Sequence, residues 1–81
     1  MEITGIKEML TYLVANLVDD PDSIQVNVLE NGNTITLQLR VAAEDMGRVI
    51  GRQGRIAKEI RTLIKAMGLR DDKRVMVDIL D

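Results

Sequence analysis

Two short stretches of alternating apolar and polar residues, joined by Asn31-Gly32, constrain the fold of this chain more than any other feature. The stretch before the junction alternates at Ile24, Val26 and Val28, and the stretch after it does the same across 35–41. Period-two alternation is typical of a half-buried strand, and Asn-Gly tolerates the positive φ that a tight hairpin requires. The sequence therefore predicts an antiparallel hairpin with one apolar face that needs a cover.

Helical segments are predicted on both sides of the hairpin. Apolar residues recur at helical spacing across 4–18, and Pro21 cannot continue this first helix. A short helical segment is predicted over 43–49. Glu44 and Asp45 lie near its start, where the helix dipole favours anions.

A longer helix is predicted over 54–67, with Gly68 at the position where a C-cap is expected. At 100° per residue, this helix has an apolar side and an opposite basic side. The apolar side carries Ile56, Ile60, Leu63, Ile64 and Met67, and the basic side carries Arg55, Lys58, Arg61 and Lys65. A third alternating strand follows at 75–79.

The predicted order is therefore helix–strand–strand–helix–helix–strand. Because a sheet with one apolar face must bury it, we expect an α+β fold in which three helices cover one face of a three-stranded sheet. A chain of 81 residues has room for one core, so a single domain spanning 1–81 is expected.

The composition excludes several kinds of chemistry. The chain has no histidine and no cysteine, so the commonest general base, nucleophile and transition-metal ligands are missing. An enzyme is not expected, nor is a metal or another cofactor. No apolar run approaches the roughly 20 residues that span a bilayer, so no membrane partner is expected. A chain without cysteine is compatible with the cytoplasm, which is the predicted location.

The formal net charge of −2 hides a strong asymmetry. Residues 48–65 contain six cations and one anion, Glu59, which gives this segment a local net charge of +5. At about 0.1 M salt the Debye length is about 10 Å, so a partner at this segment responds mainly to the local charge. The basic segment therefore predicts a polyanionic partner, although the isoelectric point of the chain is near 5.0.

The basic segment surrounds a short turn, Gly51-Arg52-Gln53-Gly54, between the two predicted helices. Glycine permits positive φ and close approach of another backbone, and the start of the following helix offers unpaired N–H groups to a phosphate. An arbitrary G-x-x-G is more often a simple connector. The dinucleotide-binding and P-loop motifs do not fit, because position 49 is valine and no Gly-Lys pair occurs.

The segment VIGRQGRI, residues 49–56, resembles the V-I-G-x-x-G-x-I signature of the KH domain, a module that binds single-stranded RNA and DNA. The predicted helix and strand at the N-terminal side resemble the type II arrangement, so the resemblance covers essentially the whole chain. More narrowly, VAAEDMGRVIGRQGR is similar to the small bacterial KH-domain RNA-binding proteins of the KhpA type. No departure from the signature is present.

The resemblance implies a role for each residue of the turn and its surroundings. The G-x-x-G turn would clamp the backbone of about four nucleotides. Gly51 and Gly54 would permit close approach, while Arg52 and Gln53 would contact phosphates. The surrounding positive field would come from Arg48, Arg55 and Lys58. A shallow groove between the helices and a sheet edge would hold the bases, with Ile50, Met46 and Leu39 near its floor.

The resemblance also implies partners and a cellular role. Single-stranded RNA is the expected ligand, with self-association as a homodimer and pairing with a larger KH protein of the Jag type. The implied role is an RNA chaperone or post-transcriptional regulator linked to cell shape, elongation and division. The alternative is a protein-interaction module, active in dimerisation, that binds nucleic acid incidentally. A steep dependence of RNA affinity on salt would favour the first reading.

Overall fold

The computed structural model describes residues 3–80 and confirms the predicted order of elements. Within this range, three α-helices and three strands are joined by short turns, several of them 3₁₀. The helices are α1 (Ile3–Ala15), α2 (Met46–Ile50) and α3 (Arg55–Leu69), and the strands are β1 (Gln25–Asn31), β2 (Thr34–Arg40) and β3 (Arg74–Ile79). The fold is α+β, as expected.

The three strands form one mixed sheet in the order β1-β2-β3. β1 and β2 are the predicted hairpin, antiparallel with Val28 opposite Leu37, and Gly32 takes a φ of +62° in the turn. β3 pairs in parallel with β2, placing Val77 opposite Leu37. Because parallel neighbours need a crossover connection, α2 and α3 lie between β2 and β3 in the chain and return it to the same end of the sheet.

The core lies between the helices and one face of the sheet. α1, α2 and α3 contribute Ile6, Leu10, Val14, Val49, Ile60, Ile64 and Met67, and the sheet contributes Val26, Ile35, Leu37, Leu39, Val75 and Val77. The predicted apolar side of α3 is confirmed except at Leu63, which is 45% exposed. Leu63 lies at the margin of the apolar arc, so the curvature of the interface leaves it outside the core.

Gly68 does not cap α3, contrary to the expectation. The helix continues to Leu69, and Gly68 is a buried residue within its last turn. A Cβ at this position would lie 2.4 Å from Val75 Cγ2 and 3.0 Å from the Lys73 carbonyl oxygen. The glycine is therefore required by the close approach of the chain entering β3, and Asp72 takes the positive φ, 56°, in the turn.

Across the described range 3–80, none of the helices has the length and apolar character needed to cross a membrane.

Candidate nucleic-acid interface

The G-x-x-G turn, residues 51–54, connects α2 to α3 in a single tight bend. Gly51, Gln53 and Gly54 have φ values of +75°, +56° and +74°. The N–H of Gly51 donates to the Gly47 carbonyl at 2.9 Å, and the N–H of Gly54 donates to the Gly51 carbonyl at 3.2 Å. The bend therefore depends on left-handed backbone at three of its four positions, two of which are glycine.

The two glycines meet different surroundings. A Cβ on Gly51 would lie 2.6 Å from Ile56 Cγ1, whereas a Cβ on Gly54 would have no heavy atom of the described residues within 4 Å apart from its own chain neighbours. Gly54 is the left-handed residue directly before α3. No side chain caps the start of α3, and the N–H of Arg55, its first residue, donates to the Arg52 carbonyl within the turn.

The tip of the turn is exposed and positively charged. Arg52 and Gln53 are both exposed, as are Arg55 and Lys58 in the first turn of α3. Ile50, the last residue of α2, is 38% exposed beside the turn. The structure thus brings these five predicted site residues to one end of the α2–α3 pair, where cations and an apolar side chain are available to a ligand.

An open groove of about 530 Å³ continues from this end between α3 and β3. Its α3 side is formed by Lys58, Arg61, Thr62 and Lys65, and its other side by the strand from Arg74 to Asp78. β3 is an edge strand, and the N–H groups of Arg74 and Leu80 donate to β2-side carbonyls. The alternate residues Val75, Val77 and Ile79 therefore direct their backbone groups to the free edge.

Arg61 contacts this free edge directly. Its Nε donates to the Val77 carbonyl at 3.1 Å, which confirms that this carbonyl points to the free edge although the Val77 side chain is buried in the core. Lys58 and Thr62 lie along α3 beside it. The basic side of α3 is thus partly engaged with the sheet edge, rather than being only a solvated helix face.

The expected position of Leu39 near the floor of the groove is wrong. Leu39 lies on β2, the central strand, and its side chain is fully buried in the core. The sheet edge beside α3 belongs to β3, which alternation alone could not place in the sheet. Met46 is half-buried and Ile50 is exposed, so these two remain available on α2.

Arg48 takes part in an ionic network that the sequence did not reveal. Its Nη1 donates to Oδ1 of the buried Asp45 at 3.0 Å and also contacts Oδ2 of Asp19. The backbone N–H groups of Asp19 and Asp20 donate to the two oxygens of Asp45, each at 3.1 Å. The arginine is half-exposed, and it is paired with carboxylates rather than unopposed.

These contacts determine the protonation of both groups. The hydrogen bond from the Asp19 N–H is the largest influence that lowers the pKa of Asp45 below its usual 3.8, and burial opposes it. The hydrogen bond to Asp19 and the charge of that carboxylate raise the pKa of Arg48. Asp45 is therefore ionised and Arg48 protonated throughout the neutral range.

A helix-covered three-stranded sheet with a G-x-x-G turn between two of its helices is the arrangement expected of a type II KH domain. The sequence profile of the KhpA/KhpB KH domain matches residues 7–79. The chain therefore belongs to the KhpA/KhpB family of KH domains.

Several relatives match over nearly their whole length. RNA-binding protein KhpA of Clostridium acetobutylicum is 51% identical over 74 residues, which cover 91% of this chain and 99% of the relative. The protein of the same name from Listeria monocytogenes is 44% identical over 75 residues, covering 93% and 99%. Both relatives are named as RNA-binding proteins. The family to which the chain belongs is a non-enzymatic family of RNA-binding KH proteins, which agrees with the expectation that this chain is not an enzyme.

A solved structure supports the fold alone. The crystal structure of a variant of Aquifex aeolicus Era bound to GDP and AlF4⁻ superposes with a TM-score of 0.60 at 22% identity. The match covers 91% of this chain but 29% of that one, so the similarity concerns less than a third of Era.

Proposed function

We propose that this chain binds single-stranded RNA as one non-catalytic KH domain and clamps the RNA backbone at the G-x-x-G turn. The observation that carries the proposal is the turn itself: left-handed backbone at three positions, an exposed Arg52-Gln53 tip, and a direct entry into a basic helix. The relatives named as RNA-binding proteins support the same ligand.

The phosphates are assigned to the turn and the first turn of α3. Gly51 and Gly54 carry no side chains, so that a phosphate can approach the turn closely at the positive end of the α3 dipole. Arg52 and Gln53 donate hydrogen bonds from the tip, while Arg55 and Lys58 supply charge beside it. Every part of this assignment is independent of base identity, so it supplies affinity without sequence preference.

The bases are assigned to the groove between α3 and β3, with Ile50 packing near its entrance. The free edge of β3 presents outward N–H and C=O groups, of which the Val77 carbonyl already accepts a hydrogen bond from Arg61. The Watson–Crick edge of an unpaired base can form hydrogen bonds with the other groups of this edge. Tyr12 is the one aromatic residue of the chain and lies on α1, so stacking on an aromatic ring does not contribute here. A single domain of this kind binds weakly and with strong salt dependence.

The domain would bind RNA more tightly if it paired with a second copy or with a larger KH protein of the Jag type. Once one site of such a pair holds the RNA, the second site meets it at a high effective concentration. Leu63, exposed on α3 beside Ala66, leaves apolar surface available for a contact between copies. We extend the proposal accordingly to a cytoplasmic homodimer that acts as an RNA chaperone or post-transcriptional regulator in cell elongation and division. This part rests on the family resemblance.

The test is fluorescence anisotropy with a labelled single-stranded RNA over a series of salt concentrations. The variant Arg52→Asp/Gln53→Asp places two carboxylates where phosphates are proposed, at an exposed tip where the fold should tolerate them. The matched control, Lys7→Asp/Gln25→Asp, makes the same change in charge at exposed positions on α1 and β1. Circular dichroism checks that all three proteins are folded.

We expect the wild type and the control to bind with a steep salt dependence and the turn variant to lose binding. Equal binding by all three proteins would show that the turn is a connector. The favoured alternative would then be a protein-interaction module that binds nucleic acid incidentally.

A further inference from the structure

We infer that Asp45 is a positioning residue for RNA binding: it holds α2, and with it the G-x-x-G turn, against the connection between α1 and β1. The inference rests on the proposed function, because positioning has a consequence only if the turn binds RNA. It assigns a role to a residue that does not itself contact the ligand.

The carboxylate of Asp45 is a buried junction between distant parts of the chain. Asp45 is 1% exposed and directly precedes α2. Its Oδ1 accepts hydrogen bonds from the Asp19 N–H and from Arg48 Nη1, and its Oδ2 accepts one from the Asp20 N–H. A buried charge is retained only with such partners, and three donors from two directions fix the orientation of the carboxylate.

Because α2 is short, the contacts of Asp45 at its start also affect the position of the turn at its end. This helix has five residues, about 7.5 Å, and it ends where the G-x-x-G turn begins. Val49 is its fully buried apolar anchor. Because apolar packing is non-directional, Val49 fixes how deep α2 lies but not its rotation about its own axis. The hydrogen bonds of Asp45, at the other end of the helix, are directional and fix this rotation. They therefore also fix the orientation of the G-x-x-G turn.

Arg48 belongs to the same network of hydrogen bonds and ion pairs. Its Nη1 joins Asp45 to Asp19, and the three groups together carry a net charge of −1. Such a group contributes little to a positive field around the turn. We therefore assign Arg48 to positioning rather than to a phosphate contact, and the two roles differ in their effect on salt dependence. Removing a phosphate contact lowers the slope of log affinity against log salt by about 1, whereas loosening α2 lowers affinity at an unchanged slope.

The first experiment compares Asp45→Asn with the matched control Glu44→Gln by RNA anisotropy over a salt series. Glu44 is an exposed carboxylate in the same 3₁₀ turn. Both variants remove one negative charge, which by itself favours RNA. If Asp45 positions the turn, its variant populates the binding-competent orientation less and binds about tenfold more weakly at an unchanged slope. The control should bind as well as the wild type or slightly better.

Arg48→Gln is measured in the same series, and it should also weaken binding at an unchanged slope. A slope lower by about 1 would show that Arg48 contacts a phosphate and would overturn its assignment. Binding by Asp45→Asn equal to that of Glu44→Gln would overturn the inference for Asp45. If instead the wild type binds no RNA, or Arg52→Asp/Gln53→Asp has no effect, the proposed function fails first and this inference fails with it.

A second measurement needs no variant and covers the case in which Asp45→Asn does not fold. Coupling between two sites is reciprocal, so RNA bound at the turn must strengthen the Asp45 contacts if those contacts strengthen RNA binding. Amide hydrogen exchange of Asp19 and Asp20 should therefore slow when RNA is added to the wild type. The Ser23 amide, which donates to the Asp20 carbonyl, serves as the local reference. Unchanged exchange at Asp19 and Asp20 with RNA bound would overturn the inference.

Discussion

Gly51 and Ile56 pack directly against each other across the G-x-x-G turn. A Cβ on Gly51 would lie 2.6 Å from Cγ1 and 2.9 Å from Cβ of Ile56, distances that side chains do not tolerate. Ile56 is partly buried against the core in the first turn of α3. The first glycine of the motif is therefore a packing position as well as a conformational one, whereas Gly54 is conformational only.

Replacing each of these glycines by alanine should separate the two roles. Gly51→Ala must accommodate a φ of 75° with a ψ of 178°, a region essentially restricted to glycine, as well as the contact with Ile56. We expect it to destabilise the fold by roughly 2–4 kcal/mol. Gly54→Ala adopts left-handed backbone in open space and should cost about 1–2 kcal/mol. Urea unfolding of both variants measures the difference.

Gly47→Ala is the control for these two variants. Gly47 lies inside α2, and a Cβ there would have no heavy atom of the described residues within 4 Å apart from its chain neighbours and the backbone of the helix itself. Alanine should stabilise this position by about 0.5–1 kcal/mol, because glycine loses more backbone entropy in a helix. Equal effects at positions 47, 51 and 54 would contradict the assigned roles.

Gly68→Ala tests whether the chain entering β3 requires a glycine in α3. A glycine inside a helix is normally improved by alanine, but here the new Cβ meets Val75 Cγ2 and the Lys73 carbonyl oxygen. The Lys73 carbonyl is part of the backbone and cannot move aside as the end of a flexible side chain can. We therefore expect the free energy of unfolding to fall by about 1–3 kcal/mol. A stabilised Gly68→Ala, similar to Gly47→Ala, would show that β3 can move away without cost.

The features that were predictable from the sequence are those with a local physical cause. Period-two alternation on either side of Asn31-Gly32 located β1 and β2, because side-chain direction in a strand depends only on position along the chain. The G-x-x-G turn was equally visible, since its backbone requires left-handed residues at fixed positions. The exposed tip followed from its charge, because Arg52 has no place in a core.

The features that were missed depend on contacts between distant residues. Asp45 suggested only a favourable interaction with a helix dipole, yet its partners Asp19 and Asp20 lie 26 and 25 positions earlier in the chain. No periodicity connects those positions. Leu39 was misplaced for a similar reason: alternation showed that it belongs to a strand, but not that this strand is central and leaves the free edge to β3. No feature of the sequence near Gly68 indicates the close contact between this residue and Val75.

Acid should destabilise the wild type more than Asp45→Asn. The pKa of Asp45 in the folded protein lies below 3.8, first because the Asp19 N–H donates to the carboxylate. A carboxyl group with a depressed folded-state pKa contributes stability that is present above its unfolded pKa and is lost as the pH falls through its folded pKa. The wild type should therefore be the more stable protein near pH 7, and the difference should shrink below about pH 4. Urea unfolding between about pH 3 and pH 7 measures the difference in the free energy of unfolding, with Glu44→Gln as the control. A difference between wild type and Asp45→Asn that does not change with pH would contradict this prediction.

Lys58 should contribute one phosphate contact to RNA binding. It is exposed, and it lines both the groove between α3 and β3 and the shallow surface beside Arg55 and Leu63. Neutralising a cation that contacts a phosphate removes about one released counterion, so Lys58→Gln should lower the salt slope by about 1 and weaken binding to every sequence alike. Lys7→Gln, on the exposed side of α1, makes the same chemical change away from the turn and should leave the slope unchanged. An equal decrease in both variants would mean that RNA responds to the total charge of the domain rather than to a path along α3.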